Sequence, residues 1–210
     1  MTFLPMVAEW ASWIILAAAL IVLVRLVLGP GTADRAVALD MLNVLVIAFA
    51  GLRVLVTQQY AYLDVHRHRA DLVPRDRRAQ PLHRAAWRRS PAMMMVWDIV
   101  GSVLVLAGAG FCLIAAIGVL RFEDVFMRMH ASTKAGTLGT GLIMLAVATT
   151  VDSTGVIARV FGIIAFLLFT APIAAHMIGR AAYLAGATLS PRTVCDERKQ
   201  RKPTLCIAAE

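Results

Sequence analysis

Residues 99–120 read IVGSVLVLAGAGFCLIAAIGVL, a run without a single charged side chain. A helix that crosses the hydrocarbon core of a bilayer, which is roughly 30 Å thick, needs about 20 mostly apolar residues. Inside that core the backbone must satisfy its own polar groups, and an isolated segment does so as an α-helix. The run therefore predicts a transmembrane helix.

Four other apolar blocks of similar length flank this run, at residues 10–28, 36–57, 135–151 and 160–179. Hydrophobic residues make up 60% of the chain and charged residues 16%. Soluble domains are usually about 45–50% apolar and about 25% charged. The sequence therefore predicts an all-α integral membrane protein with about five transmembrane helices. Gly29-Pro30-Gly31, between the first two blocks, predicts a tight turn.

The basic residues between the blocks predict the orientation of the chain. Two connections and the tail after Arg180 are rich in Lys and Arg; the connections carry Arg25 and Arg35, and Arg121, Arg128 and Lys134. Because basic loops stay in the cytoplasm, the N-terminus is expected outside and the C-terminus inside. The expected location is the cell (plasma) membrane, as a multi-pass protein.

Residues 66–92 do not fit this pattern. The stretch 66–89 holds eight arginines and three of the five histidines, without helical or strand periodicity. One hypothesis is a frameshift, because codons that encode these residues can give an apolar stretch suited to a third helix when they are read one base further. The alternatives are a genuine basic linker that binds anionic lipid or nucleic acid. The latter is disfavoured because aromatic residues are not interleaved with the basic ones.

Several motifs resemble one family of transport proteins. The stretches GPGTADRAVALD (29–40) and YLDV (62–65) resemble the F-type component of the Mrp-type (multiple resistance and pH) Na⁺/H⁺ antiporters. Four later stretches resemble the G-type component of the same complex: LRF (120–122), RMHASTKAGTLG (128–139), TAPIAAH (170–176) and RAAY (180–183). The chain departs from the family at Glu123, where Pro is common, and at Phe126, where Tyr is common.

The resemblance implies four regions. These are an F-like part with two transmembrane helices (1–65), a basic linker or frameshifted third helix of the F-type component (66–92), a G-like part with three transmembrane helices (93–184), and a polar cytoplasmic tail (185–210).

The resemblance also implies a function, namely that of an accessory membrane subunit of a multi-subunit monovalent cation (Na⁺)/proton antiporter that contributes to pH and sodium homeostasis. The expected partners are the other subunits, Na⁺ and H⁺, and the lipid bilayer, with no nucleic acid. The alternative is a non-transporting scaffold that assembles such a complex. The sequence contains no phosphate loop, nucleophile elbow or metal-ligand cluster, so no cofactor, metal or enzymatic activity is expected.

Carboxylates in membrane helices are costly and often mark ion pathways, which makes Asp34 and Asp40 candidates. Their six-residue spacing corresponds to roughly 600° of helical rotation and predicts that they point to different sides. Asp40 lies deeper and is expected to receive Na⁺ or a proton. The alternative is an interfacial carboxylate beside Arg35 or Arg25.

The connection after residue 120 is a candidate docking surface for partner subunits. Asp124 and Arg128 have the (i, i+4) spacing of a surface ion pair, and His130 and Lys134 share the same spacing. Together with Arg121 they predict a solvated, amphipathic connector.

His176 follows Pro172 by about one turn within an apolar block. Proline frees a backbone carbonyl and can kink a helix, and histidine can relay protons near neutral pH. His176 is therefore a third ion-pathway candidate, and its alternative role is a packed or interfacial histidine that is hydrogen-bonded to a neighbouring helix.

The predicted orientation is testable with reporters. A reporter fused after Leu184 should be cytoplasmic and one fused near Ala79 should be outside, because the flanking basic connections stay in the cytoplasm. Paired alkaline phosphatase and fluorescent-protein fusions measure the side. A cytoplasmic signal at Ala79 would mean that the helix count of the first half is wrong.

Overall fold

The computed structural model describes residues 3–57, 91–150 and 154–187, and all regular elements in these ranges are helices. The helices are α1 (Phe3–Leu28), α2 (Thr32–Thr57), α3 (Pro91–Arg121), α4 (Val125–His130), a π-helical segment (Ala131–Gly136), α5 (Thr137–Thr150) and α6 (Thr154–Leu184). The YLDV motif, the basic linker up to residue 90 and the tail from residue 188 lie outside the described residues.

Four of these helices are long and apolar enough to cross a membrane: Phe3–Leu28, Thr32–Thr57, Met95–Arg121 and Thr154–Leu184. The predicted all-α membrane class is confirmed. The fifth predicted span falls on α5, which has only 14 residues. However, helical backbone angles at Ala131 and Thr137 join α4, the π-helical segment and α5 end to end. We call residues 125–150 the composite helix.

The helix ends differ from the predicted apolar blocks. For example, α6 runs from 154 to 184 rather than from 160 to 179, because a helix continues past the hydrocarbon region that hydropathy detects. The predicted linker reached residue 92, whereas α3 already begins at Pro91. Proline suits the first turn of a helix, where its missing N–H has no helical partner to lose.

The turn predicted at Gly29-Pro30-Gly31 is confirmed, since α1 ends at Leu28 and α2 begins at Thr32. The N–H of Gly29 donates to the carbonyl of Arg25 over 2.8 Å. A side chain at Gly29 would clash with that same carbonyl oxygen, at 2.8 Å. The turn therefore brings the end of α1 and the start of α2 together, and with them Arg25 and Asp34.

One shared core holds the F-like and G-like parts together. Helix α1 packs against α2 and α3, and the composite helix packs against α3 on one side and α2 on the other. The buried faces are rich in small and branched apolar residues, such as Ala11, Ala48, Ala109 and Val147. Helix α6 is less embedded, and its buried side chains are Val156, Val160, Leu167 and Ala182. Large apolar side chains face outward on most helices, which suits lipid contact.

A very close helix contact joins α3 to α5 at Gly108 and Gly139. A Cβ built on Gly139 would lie 2.6 Å from the carbonyl oxygen of Gly108 and 2.9 Å from the backbone nitrogen of Cys112. Small residues allow such an approach in membranes, where van der Waals packing replaces the hydrophobic driving force. Gly110 and Gly141, by contrast, have no atom within 4 Å of an added Cβ.

This difference predicts opposite effects for two matched substitutions. Gly141→Ala should leave stability unchanged or raise it by up to about 1 kcal/mol, because Ala favours a helix over Gly. Gly139→Ala should destabilise the chain by about 1–3 kcal/mol, because backbone atoms must move apart. Thermal unfolding of both purified variants in detergent measures the effect, and equal shifts for the two variants would contradict the close contact.

Candidate functional site

A line of polar residues follows the contact between α2 and the composite helix. Arg128, Ser132, Gly136 and Thr140 recur every fourth residue and therefore share one helix face. All four are buried, and this face is turned towards α2. We call this line the polar seam, and it consists of Arg128, Ser132 and Thr140 together with Asp34 and Asp40.

An ion pair occupies one end of the polar seam, next to the turn between α1 and α2. The Nη1 of Arg128 donates to Oδ1 of Asp34, and both residues are buried, at 6% and 5% exposure. The Nη2 of Arg25 lies 3.5 Å from the other carboxylate oxygen of Asp34. Burying a charge requires a partner and hydrogen bonds. Asp34 has both, because two arginines from two different helices face it.

The remaining donors of Arg128 are also used. Its Nε donates to the carbonyl of Phe122 over 2.6 Å, and its Nη2 donates to the carbonyl of Glu123 over 3.0 Å. These carbonyls belong to the short connection between α3 and α4. Arg128 therefore fastens that connection to α2 as well as neutralising Asp34.

The predicted surface pair between Asp124 and Arg128 is wrong. Asp124 lies outside α4 with an extended backbone, and its Oδ1 accepts from the N–H of Phe126 over 3.1 Å as the N-cap. Arg128 is buried against Asp34 and is not part of a solvated face. Of the other docking candidates, Arg121, His130 and Lys134 are exposed.

Asp40 lies beside Ser132, one step further along the polar seam. The hydroxyl of Ser132 is 3.4 Å from Oδ2 of Asp40 and 3.6 Å from the sulfur of Met41. Asp34 and Asp40 were expected on different sides, but both reach the composite helix. They can do so because Asp34 points into the contact, whereas Asp40 lies half-buried at its rim.

The alternative interpretation of Asp40, a carboxylate beside Arg25 or Arg35, does not match the contacts. Arg25 pairs with Asp34, and Nε of Arg35 donates to the carbonyl of Gly29 over 3.2 Å.

The seam continues along the composite helix towards α5 through neutral groups. The hydroxyl of Thr140 donates to the carbonyl of Val44 over 3.3 Å. The thiol of Cys112 lies 3.9 Å from the same hydroxyl and 4.0 Å from the carbonyl of Gly136. Ser132 and Gly136 lie within the π-helical segment, and such segments are frequent at functional sites. Ser132 and Thr140 were not predicted as site residues, although they follow Arg128 in the sequence by four and by twelve residues.

The other candidates surround a separate groove between the composite helix and α6. This groove has a volume of about 300 Å³, and its lining includes His130, Lys134, Pro172 and His176. His176 is exposed in this chain, and both its relay role and its alternative role against a neighbouring helix stay predictions. Helix α6 continues through Pro172, and a kink there stays a prediction. Among the described residues, no three His, Cys, Asp or Glu side chains come together as a metal site.

Comparison with known proteins covers both halves of the chain. The family model described as "Na+/H+ antiporter subunit" matches residues 104–183, and that of "Multiple resistance and pH regulation protein F" matches residues 33–66. A relative from Alkalihalophilus pseudofirmus, named as the G component of a Na(+)/H(+) antiporter, is 37% identical over 109 residues, which are 51% of this chain and 92% of the relative. A Staphylococcus aureus (strain JH9) protein named putative antiporter subunit mnhG2 is 36% identical over 94 residues, or 44% of this chain and 65% of the relative.

The buried ion pair predicts a large loss of stability for Arg128→Gln. Removing one partner of a buried pair costs about 3–5 kcal/mol, because the other charge stays buried. Unfolding in detergent should show this loss, whereas the exposed Arg121→Gln serves as control and should be nearly neutral. The double variant Asp34→Asn/Arg128→Gln should be less destabilised than the sum of the two single variants. Additive effects would mean that the two side chains do not interact.

Proposed function

Because the chain belongs to the family of G-type Na⁺/H⁺ antiporter components and matches the F-type model in its first half, we propose that it is an accessory membrane subunit of a multi-subunit Na⁺/H⁺ antiporter. In that role it contributes to pH and sodium homeostasis in complex with the other subunits. Its named relatives are antiporter subunits, which belong to transporters rather than enzymes. The proposed orientation has the N-terminus outside and the C-terminus in the cytoplasm.

A direct role in transport is supported by the contacts of the Asp40 carboxylate. Both Asp34 and Asp40 lie in a membrane helix, but Asp34 is held by two arginines. No Lys or Arg among the described residues pairs with Asp40, whose neighbour is the hydroxyl of Ser132. A carboxylate with a hydroxyl beside it offers hard oxygen ligands, the type that hard cations prefer. Asp40 is therefore the group in the polar seam best suited to receive Na⁺ or a proton.

The half-buried position of Asp40 supports this assignment. A fully enclosed carboxylate could not exchange ions, and a fully exposed one would not define a path. Asp40 lies at the rim of the α2 contact, where a neighbouring subunit can complete the coordination. Asp34 then braces the path through Arg128 and Arg25, and His176 is a proposed relay for protons on the α6 side of the composite helix.

The second candidate function is a scaffold that assembles the complex without touching the ion. The buried Asp34–Arg128 pair and the close Gly108–Gly139 contact favour it, because both serve to hold helices together. Arg121 is exposed outside the groove beside α6 and is proposed to dock partner subunits in either case, whereas the exposed His130 and Lys134 line that groove.

Asp40→Asn separates the two functions. If Asp40 receives the ion, the antiport rate should fall roughly tenfold or more, because contacts to charged groups are worth about 1.5–3 kcal/mol. The amount of assembled complex should stay unchanged. Sodium-induced collapse of a pH gradient, measured in inverted vesicles that contain the full complex, gives the rate.

Asp98→Asn is the matched control, since Asp98 is a partly buried carboxylate on α3 that lies outside the polar seam. It should leave both the rate and the assembly unchanged. If Asp40→Asn lowers the assembled complex and the antiport rate in the same proportion, the scaffold function is correct. If it changes neither, both the ion-path assignment and any bracing role of Asp40 are wrong.

A further inference from the structure

The groove between the composite helix and α6 has an apolar interior and a basic mouth. Leu167, Leu168 and Ala171 of α6 form much of its apolar wall, facing the composite helix at Met129 and Thr133. Its volume of about 300 Å³ is at the lower end of the range of ligand pockets. Helix α6 is exposed along much of its length, and the groove beside it is partly open.

The ionisable side chains at the mouth are all basic ones. His130 and Lys134 come from the composite helix, His176 comes from α6, and the lining contains no carboxylate. Arg180 is exposed one turn after His176 on the same helix. Lys134 forms no ion pair with any acid of the described residues.

The hydroxyl groups near the mouth are already engaged. The side chain of Thr133 donates to the carbonyl of Met129 over 2.8 Å, and that of Thr137 donates to the carbonyl of Thr133. The donors available to a ligand are therefore the basic side chains. A basic side chain near the cytoplasmic membrane surface attracts an anionic lipid headgroup.

We propose that this groove binds an anionic phospholipid of the cytoplasmic leaflet, with its phosphate at Lys134, His130 and His176 and an acyl chain along the apolar wall of α6. Basic pockets between transmembrane helices on the cytoplasmic side are suited to anionic headgroups. The apolar interior below the mouth suits the acyl chain of a phospholipid, which a free phosphate ion lacks. A single carboxylate on a partner helix would neutralise one cation, whereas Lys134 in the lining and the nearby Arg180 are two.

The first test compares lipids on the purified full-length chain by native mass spectrometry and thermal unfolding. Added phosphatidylglycerol should bind and raise the unfolding temperature more than phosphatidylcholine does. Lys134→Gln should weaken phosphatidylglycerol binding about fivefold, the effect expected for one basic residue near an anionic lipid. Lys134→Arg should retain binding. Arg35→Gln removes an exposed cation outside the groove and should bind like the unchanged protein.

A second variant tests the apolar part without altering charge. Ala171→Phe fills the groove and should also weaken phosphatidylglycerol binding, because the acyl chain loses its space. Equal binding of the two lipids, or equal losses from Lys134→Gln and Arg35→Gln, would overturn the proposal. So would equal stabilisation by inorganic phosphate alone, which would leave the apolar wall without a role.

The alternative occupant, a helix of a partner subunit, predicts a different experimental result. If Lys134→Gln releases the other antiporter subunits during purification while phosphatidylglycerol binding is unchanged, the groove holds a protein helix and the lipid site is wrong. These outcomes are independent of transport through Asp40, because lipid binding is measured on the chain alone and antiport on the assembled complex.

Discussion

The buried ion pair between Asp34 and Arg128 is the interaction on which the arrangement of the helices depends. Neither charge can remain alone in an apolar core, since each unpaired ion would carry a desolvation penalty of several kcal/mol. The pair therefore sets the register of α2 against the composite helix. With that register, Ser132 meets Asp40 and Thr140 meets the carbonyl of Val44. A shift of one helical turn would separate all three contacts together.

The side of the composite helix that faces α3 is held by close packing of small residues rather than by an ion pair. At Gly108 and Gly139 the backbones of α3 and α5 approach so closely that a methyl group would clash with main-chain atoms. Burying apolar surface between helices gains little free energy in a bilayer, because the surrounding lipid is itself apolar. Close van der Waals contacts therefore supply much of the attraction between helices. The composite helix is thus fixed by a polar contact to the F-like part and by a small-residue contact within the G-like part.

Polar groups on the composite helix divide into two sets with different roles. Those on the α2 face are buried and matched within the chain, and they meet Asp40 of α2, the proposed ion ligand, at the rim of the contact. Those on the α6 face, His130 and Lys134, are exposed and unmatched by acids of the described residues. The same helix therefore joins the proposed ion path to the proposed lipid groove, and the π-helical segment lies between them.

The sequence by itself determined the membrane class, the helical structure, the turn at Gly29-Pro30-Gly31 and the family, because bilayer thickness and turn chemistry act on local stretches of chain. Helix ends were less accurate, since hydropathy detects only the part of a helix inside the hydrocarbon.

Only the tertiary structure decided which polar groups meet. Local spacing assigned Arg128 to Asp124, but Asp124 is an N-cap outside the helix, and the true partner is Asp34 on α2. The sequence alone also does not distinguish the two glycines. Gly139 lies in a close helix contact, whereas Gly141 faces open space. Partners of this kind come from segments far apart in the chain, so their meeting depends on how whole helices pack.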